Sequence, residues 1–260
     1  MSFDAGGILP RDQSGGNEEI RARARASGAR IVKRVMRGKN DPDWPAIVER
    51  WKAEQQEMRR RMVVAPLRPL PRFVAGADAA FSTDPPKRTV FAAAVVYDRV
   101  ERRVVEVAHA KRAAEFPYIP GFLSFREGPA VLEAVGKLKH AWGAICFDAH
   151  GYAHPRRCGL AAHLSIQLDV PGVGVAKSRL IGVHSDPPAE AGAFSDLTDK
   201  GEQIGIVLRT RDNTRPVYIS LGHRVDLDSA RELALACVTR YRVPEPTRQA
   251  DIEVAKLKRL

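Results

Sequence analysis

Apolar runs at residues 73–81, 89–97 and 104–110 follow one another with only short gaps between them. A crossover between parallel strands needs a dozen or more residues, so runs this close are expected to pair antiparallel as a meander. After Phe116 the rhythm changes. A helix is expected over about 125–138, a buried strand over 144–148, a helix over about 157–168 and a short strand over 172–176. That alternation of strand and helix predicts parallel strands. Further strands are expected at 204–208 and 217–220, then a helix at about 229–241 whose apolar positions include Leu233, Leu235, Ala236 and Val238. The whole predicts one α/β domain over 41–260, a mixed β-sheet with an antiparallel meander, then parallel strands, and helices on both faces.

Upstream, Trp44, Ile47, Val48, Trp51, Met58 and Met62 keep helical spacing, Pro45 suits a first turn, and Pro66, Pro69 and Pro71 end the helix. Residues 1–40 are rich in Gly, Ser and Arg with little apolar periodicity, which predicts a flexible basic arm. Its charges suit either non-specific phosphate contact or a solvated tail.

The chain has 260 residues, with 42 Lys plus Arg against 31 Asp plus Glu, a formal charge of +11. Such an excess favours a polyanionic partner. Cys146, Cys158 and Cys237 stand far apart and cannot form a disulfide framework, so a reducing compartment, the cytoplasm, is expected. No window approaches the roughly 20 apolar residues of a membrane span. A soluble monomer without membrane partners is expected.

Asp78 lies inside Phe73–Phe81, where a carboxylate without a nearby cation is costly to bury. The small residues Gly76, Ala77, Ala79 and Ala80 leave room for a metal-bound phosphate; the alternative is an acid facing solvent from an edge strand. Asp148 ends the apolar strand 144–148, at the carboxyl end where open α/β sheets place ligands, which favours a functional role over the alternative of an N-cap or turn residue. Glu127 closes Ser124-Phe125-Arg126-Glu127, which matches a capping box, and becomes a ligand candidate only if Asp78 and Asp148 are neighbours. Three converging acids would repel unless Mg²⁺ or Mn²⁺ neutralised them.

Cys146, His150, His154 and Cys158 recur at steps of four, a zinc-like spacing, but Gly151 and Pro155 oppose the continuous helix that would align them. His223 follows an expected strand and either reaches the strand-end surface of Asp148 or is an incidental loop histidine. Lys177 follows the strand 172–176 and is placed either on a phosphate or on the surface.

These segments resemble the endonuclease V family of deoxyinosine-specific nucleases. The resemblance is carried by residues 117–129, PYIPGFLSFREGP, and 148–157, DAHGYAHPRR. Gly76-Ala77-Asp78, residues 174–180, Gly222-His223-Arg224 and residues 244–248 match as well, so it spans roughly 43–250. It implies a ribonuclease-H-like fold and cleavage of the second phosphodiester bond 3′ to deoxyinosine, leaving a 3′-hydroxyl and a 5′-phosphate. It further implies that Asp78, Glu127 and Asp148 hold Mg²⁺, with Mn²⁺ also serving, and that His223 accompanies them; Lys177 is expected, from its place after the strand, to assist catalysis. Tyr118, Ile119 and Pro120 match the family's wedge. Gly121, Leu123, Ala149, His150, Gly151 and His154 fall in the segments that read the flipped base. Ala149 departs from the glycine usual there. The implied substrate is deoxyinosine-containing DNA, with inosine-containing RNA as the rival and a non-catalytic nucleic-acid-binding protein as the remaining alternative.

Overall fold

The computed structural model describes residues 13–28, 43–82 and 89–259. The expected meander forms as β1 (Phe73–Phe81), β2 (Thr89–Asp98) and β3 (Arg103–Ala113). β1 pairs antiparallel with β2 from Phe73 opposite Asp98 to Phe81 opposite Val90. On its other edge β1 pairs parallel with β4 (Ala144–Phe147), which pairs parallel with β5 (Gly172–Ala176).

Beyond β5 the sheet turns antiparallel again through β6 (Phe194–Asp199), β7 (Glu202–Leu208) and β8 (Val217–Leu221). The order is β3-β2-β1-β4-β5-β8-β7-β6. The mixed α/β sheet expected from the sequence is therefore present. β6 was not anticipated: its charged and exposed positions on an edge strand hide the period-2 pattern that marks a half-buried one.

Helices cover both faces. On one side α3 (Leu123–Val135) and α4 (Leu160–Leu168) pack over Ala75, Ala77, Ala92, Ala94, Ala108 and Ala110, small side chains that let the helices sit close to the strands. Val131, Leu132 and Leu164 are buried there, each contributing about 1.5–3 kcal/mol. On the other side α5 (Leu227–Ala236) buries Ala230, Leu233 and Ala234 against β4, β5, β7 and β8. The carboxyl-terminal α6 (Glu245–Leu257) crosses β1 and β2 beside it. α6 was missed because its apolar contacts with the sheet are few, chiefly Ala250 and Val254. Its approach requires Gly76: a Cβ there would meet the Pro246 carbonyl oxygen at 2.0 Å. The space beside Gly76 therefore holds α6, not the metal-bound phosphate the small residues suggested.

Residues 13–28 correct the expectation of a flexible arm. They form α1 (Gln13–Gly28), docked on α3 and α4, while the remainder of the expected arm lies outside the described residues. Ala24 is buried against Gly136, Asn17 donates to the carbonyls of Lys139 and His140, and Arg23 reaches Asp169 at 2.8 Å. The apolar stripe of α1 is only Ile20 and Ala24, too narrow to register among its arginines. No helix among the described residues is long and apolar enough to cross a membrane.

Candidate active site

The carboxyl ends of β1 and β4 lie side by side, and the Asp148 amide donates to the Ala77 carbonyl at 3.1 Å, which sets Asp78 and Asp148 level. α6 crosses above them and adds Asp251. One oxygen from each of the three carboxylates lies within 4.8 Å of the others, the one such grouping of His, Cys, Asp or Glu among the described residues. Lys177, just past β5, reaches back into this cluster. Its Nζ lies 2.5 Å from Asp148 Oδ2 and 2.9 Å from Asp251 Oδ2.

The electrostatics follow from that crowding. Burial, then the charge of Asp148, push the Asp78 carboxyl up to about 8, against a lesser opposing hydrogen bond from the Ala79 amide. Burial also raises Asp148, with the Lys177 ammonium opposing. Lys177 itself is raised: burial lowers it, but its bonds to Asp148 and Asp251 outweigh that. Three acids at this spacing with one ammonium leave an unbalanced negative cluster, and an all-oxygen donor set of this kind fits a hard divalent cation.

Glu127 approaches from α3, on the opposite face of the sheet from α6. Burial pushes its carboxyl up to about 8, the Arg126 charge opposes this, and Asp148 adds to the rise. The capping box suggested by Ser124 and Glu127 does not form. α3 starts two residues earlier than expected, so Ser124 lies inside it, and its hydroxyl meets His163 Nδ1 at 3.0 Å. Glu127 is buried, and it does not belong to the carboxylate grouping it was expected to share with Asp78 and Asp148, where Asp251 stands instead.

Two loops, joined to each other at the Gly121 carbonyl, carry the other expected site residues. Tyr118 projects from the first at 52% exposure between Pro117 and Pro120, while Ile119 packs down against Trp44, Trp51, Phe116, Phe122 and Phe125. α2 (Trp44–Arg60) supplies the platform, with Trp51 stacked on Phe125 at 5.0 Å. Gly121, at φ +82, ends the loop; a Cβ there would strike the Arg156 guanidinium at 2.8 Å. The second loop, residues 148–159, carries Ala149, His150, Gly151 and His154. It delays α4 to Leu160, where a start near 157 was expected, because Arg157 takes φ +56, outside the helical region. His154 Nδ1 accepts from the Arg156 amide and Nε2 donates to the Gly121 carbonyl. Burial, then the Arg156 charge, lower its pKa to about 3, so the ring is neutral at pH 7. Leu123 begins α3 next to the first loop.

The family model for Endonuclease V matches residues 56–252. The chain belongs to the endonuclease V family. Endonuclease V of Roseiflexus sp. strain RS-1 is 47% identical over 211 residues, covering 81% of this chain and 93% of the relative. The crystal structure of Endonuclease V from Streptomyces avermitilis superposes with a TM-score of 0.77 at 41% identity, covering 81% of this chain and 92% of that one. Endonuclease V of Ciona intestinalis, solved in complex with a 24mer DNA containing an inosine followed by a ribo-adenosine, superposes at 0.70 with 25% identity, covering 82% and 98%. The ribonuclease-H-like fold expected from the sequence is thus the fold of this family, and the protein is a nuclease.

In this endonuclease V family member one expectation is corrected. His223 does not reach the strand-end surface of Asp148. β8 runs antiparallel to β5, so the residue that follows it emerges at the opposite end of the sheet. There the His223 carbonyl accepts from the Gly172 amide, about four strand residues, roughly 13 Å, below the level of Asp148. Its Nδ1 accepts from the Val63 amide and its Nε2 meets Asp169 at 3.0 Å. Among the described residues Cys146, His150, His154 and Cys158 are not brought together as a metal-ligating group. Cys146 is buried among Val74, Val173 and Cys237, His150 Nε2 donates to the Ser178 carbonyl, and His154 is committed to Gly121.

Asp251 is the site residue that the sequence reading did not find. The signal available was an acid one position after the buried Ala250, seven residues into a helix opened by Pro244 and Pro246. That signal has meaning only once α6 is known to cross β1.

Proposed function

We propose that the protein is a divalent-metal-dependent DNA repair endonuclease that recognises deoxyinosine and hydrolyses the second phosphodiester bond on its 3′ side, leaving a 3′-hydroxyl and a 5′-phosphate. The convergence of Asp78, Asp148 and Asp251 within 4.8 Å, in a member of the endonuclease V family, carries this reading.

Asp78, Asp148 and Asp251 would hold Mg²⁺, with Mn²⁺ able to replace it, and Glu127 flanks them. When bound, such an ion supplies Lewis-acid polarisation of a phosphate and a lowered pKa for water. The chain's own groups do the rest. Lys177 keeps Asp148 and Asp251 close and offsets part of their charge near the scissile phosphate. Tyr118, held between prolines, stacks in the gap left by the extruded base, a contact worth about 1–3 kcal/mol in single-strand binders. Gly121 and Leu123 offer backbone groups to the base, and residues 149–154 form the facing wall. A backbone N–H aimed at the hypoxanthine carbonyl would leave adenine's amino group unmatched. Ala149 adds a methyl group to that wall. His223, bonded to Asp169 and Val63, holds the far end of the sheet and has no part in the chemistry.

The buried free thiols of Cys146, Cys158 and Cys237 suit a reducing cytoplasm, and we take the chain to act as a monomer. A second reading, cleavage of inosine-containing RNA, draws on the Ciona intestinalis complex, whose strand carries a ribo-adenosine after the inosine. Matched DNA and RNA duplexes with and without inosine, incubated with Mg²⁺ or EDTA, test both. Nicking of the deoxyinosine strand with Mg²⁺ supports the first reading. Faster nicking of the RNA supports the second, and cleavage independent of inosine contradicts both.

A further inference from the structure

Gln55 lies on α2, immediately before the residues matched by the family. It is 1% exposed, yet its amide is polar at both ends, and both ends are used. Nε2 donates to the carbonyls of Gly121 at 3.1 Å and Cys158 at 2.9 Å, and Oε1 accepts from Arg156 Nε at 2.6 Å. Both amide hydrogens and one oxygen lone pair are thereby engaged. Gly121 belongs to the loop that presents Tyr118; Arg156 and Cys158 belong to the loop that carries Ala149, His150, Gly151 and His154. The join is reinforced at one atom, because the Gly121 carbonyl also accepts from Arg156 Nη2 at 2.6 Å and His154 Nε2 at 3.2 Å. One turn before Gln55, Trp51 is locked among Phe116, Phe122 and Phe125, the residues that flank the first loop. The amide therefore spans the two loops from a rigid helix, the arrangement by which supporting side chains fix the geometry of a site.

We propose that Gln55 is a positioning residue that sets the Tyr118 loop against the loop of residues 148–159, so that insertion into the stack and reading of the extruded base occur in one register. This rests on the reading of Tyr118 as the wedge, and it makes Gln55 a determinant of inosine preference rather than of bond cleavage. Gln55→Met keeps the volume and removes all three hydrogen bonds.

The test is a mobility-shift titration in EDTA of the full chain against a duplex with one deoxyinosine and the same duplex with deoxyadenosine. Gln55→Met is expected to weaken the inosine duplex about tenfold, the effect of losing one or two buried hydrogen bonds, and to leave the plain duplex unchanged. A merely structural role would lower the active fraction and affect both duplexes equally, and that result overturns the proposal. The double variant with Tyr118→Ala is expected to bind no worse than the weaker single variant, since both act through one loop; additive losses also overturn it. Tyr118→Ala alone separates the two claims. If it leaves the inosine preference intact, the wedge reading fails. If it abolishes the preference while Gln55→Met does not, only the present proposal fails. Should Gln55→Met not fold, Gln55→Glu retains the acceptor for Arg156 but donates to neither carbonyl when ionised. The same loss is expected of it, and an unchanged preference overturns the proposal.

Discussion

The Lys177 ammonium lies 2.9 Å from Asp251 although 74 residues separate them in the chain. The same ammonium contacts Asp148, so the end of β5, the end of β4 and the last helix meet at one nitrogen. The site is thus completed only when the carboxyl-terminal helix has folded onto β1.

Removing Asp251 should accordingly act on turnover more than on DNA binding. Asp251→Asn keeps the shape and removes one charge of the three. By analogy with groups that tune metal sites, it should lower kcat by roughly 10–100-fold or more. Single-turnover nicking alongside a mobility shift checks this; a parallel loss in both would assign Asp251 to DNA contact instead.

A pH dependence follows from the buried acids. Asp78 and Glu127 stand near 8, above their ordinary 3.8 and 4.5, so the metal-free fold keeps them largely protonated at pH 7. A cation bound there must displace protons, and its affinity should rise as pH increases toward 8. In the metal-free protein the same shift contributes stability that is fully present below about pH 4 and is lost as pH climbs toward 8. The neutral buried His154 contributes in the opposite sense below about pH 6.5, so the decline is clearest between pH 7 and 8. Calorimetric Mg²⁺ titrations in two buffers of different ionisation heat should report proton release at pH 7. A binding heat independent of buffer would contradict it.

His223→Ala should separate stability from chemistry. It removes the hydrogen bond to Asp169 and the acceptor of the Val63 amide, a loss of about 1–3 kcal/mol. The melting temperature should fall while kcat on an inosine duplex is retained. A collapse of kcat without a change in melting would place His223 in the reaction.

Deleting residues 1–28 removes the Arg23–Asp169 pair, the Asn17 caps and the Ala24 contact. Each kcal/mol lost should lower the melting temperature by about 2–4 °C. Inosine-dependent nicking should persist, because α1 packs on α3 and α4 away from the Tyr118 loop. Loss of nicking in a folded truncation would show that α1 reaches the substrate.

Much of this arrangement was legible because local patterns carried it. The short gaps between the first three strands fixed the meander, and Asp148 at the end of a wholly apolar strand marked the ligand-bearing edge of the sheet. His223 was misplaced because strand direction depends on long-range pairing: nothing within residues 217–223 distinguishes a strand parallel to β5 from one antiparallel to it. Asp251 escaped for a related reason, since Gly76 records the close approach of α6 only as an absent side chain. Gln55 was unreadable for another, as one glutamine on a helix with Trp51 looks like any polar position until the loops it joins are in place.

Metal-dependent cleavage through Asp148 is tested with a 5′-labelled duplex carrying one deoxyinosine, incubated with the parent protein or Asp148→Asn in Mg²⁺ or EDTA. One product, cut at the second phosphodiester 3′ to the lesion, is expected from the parent with Mg²⁺ alone. The same product at the parent rate in EDTA, or from Asp148→Asn, would contradict it.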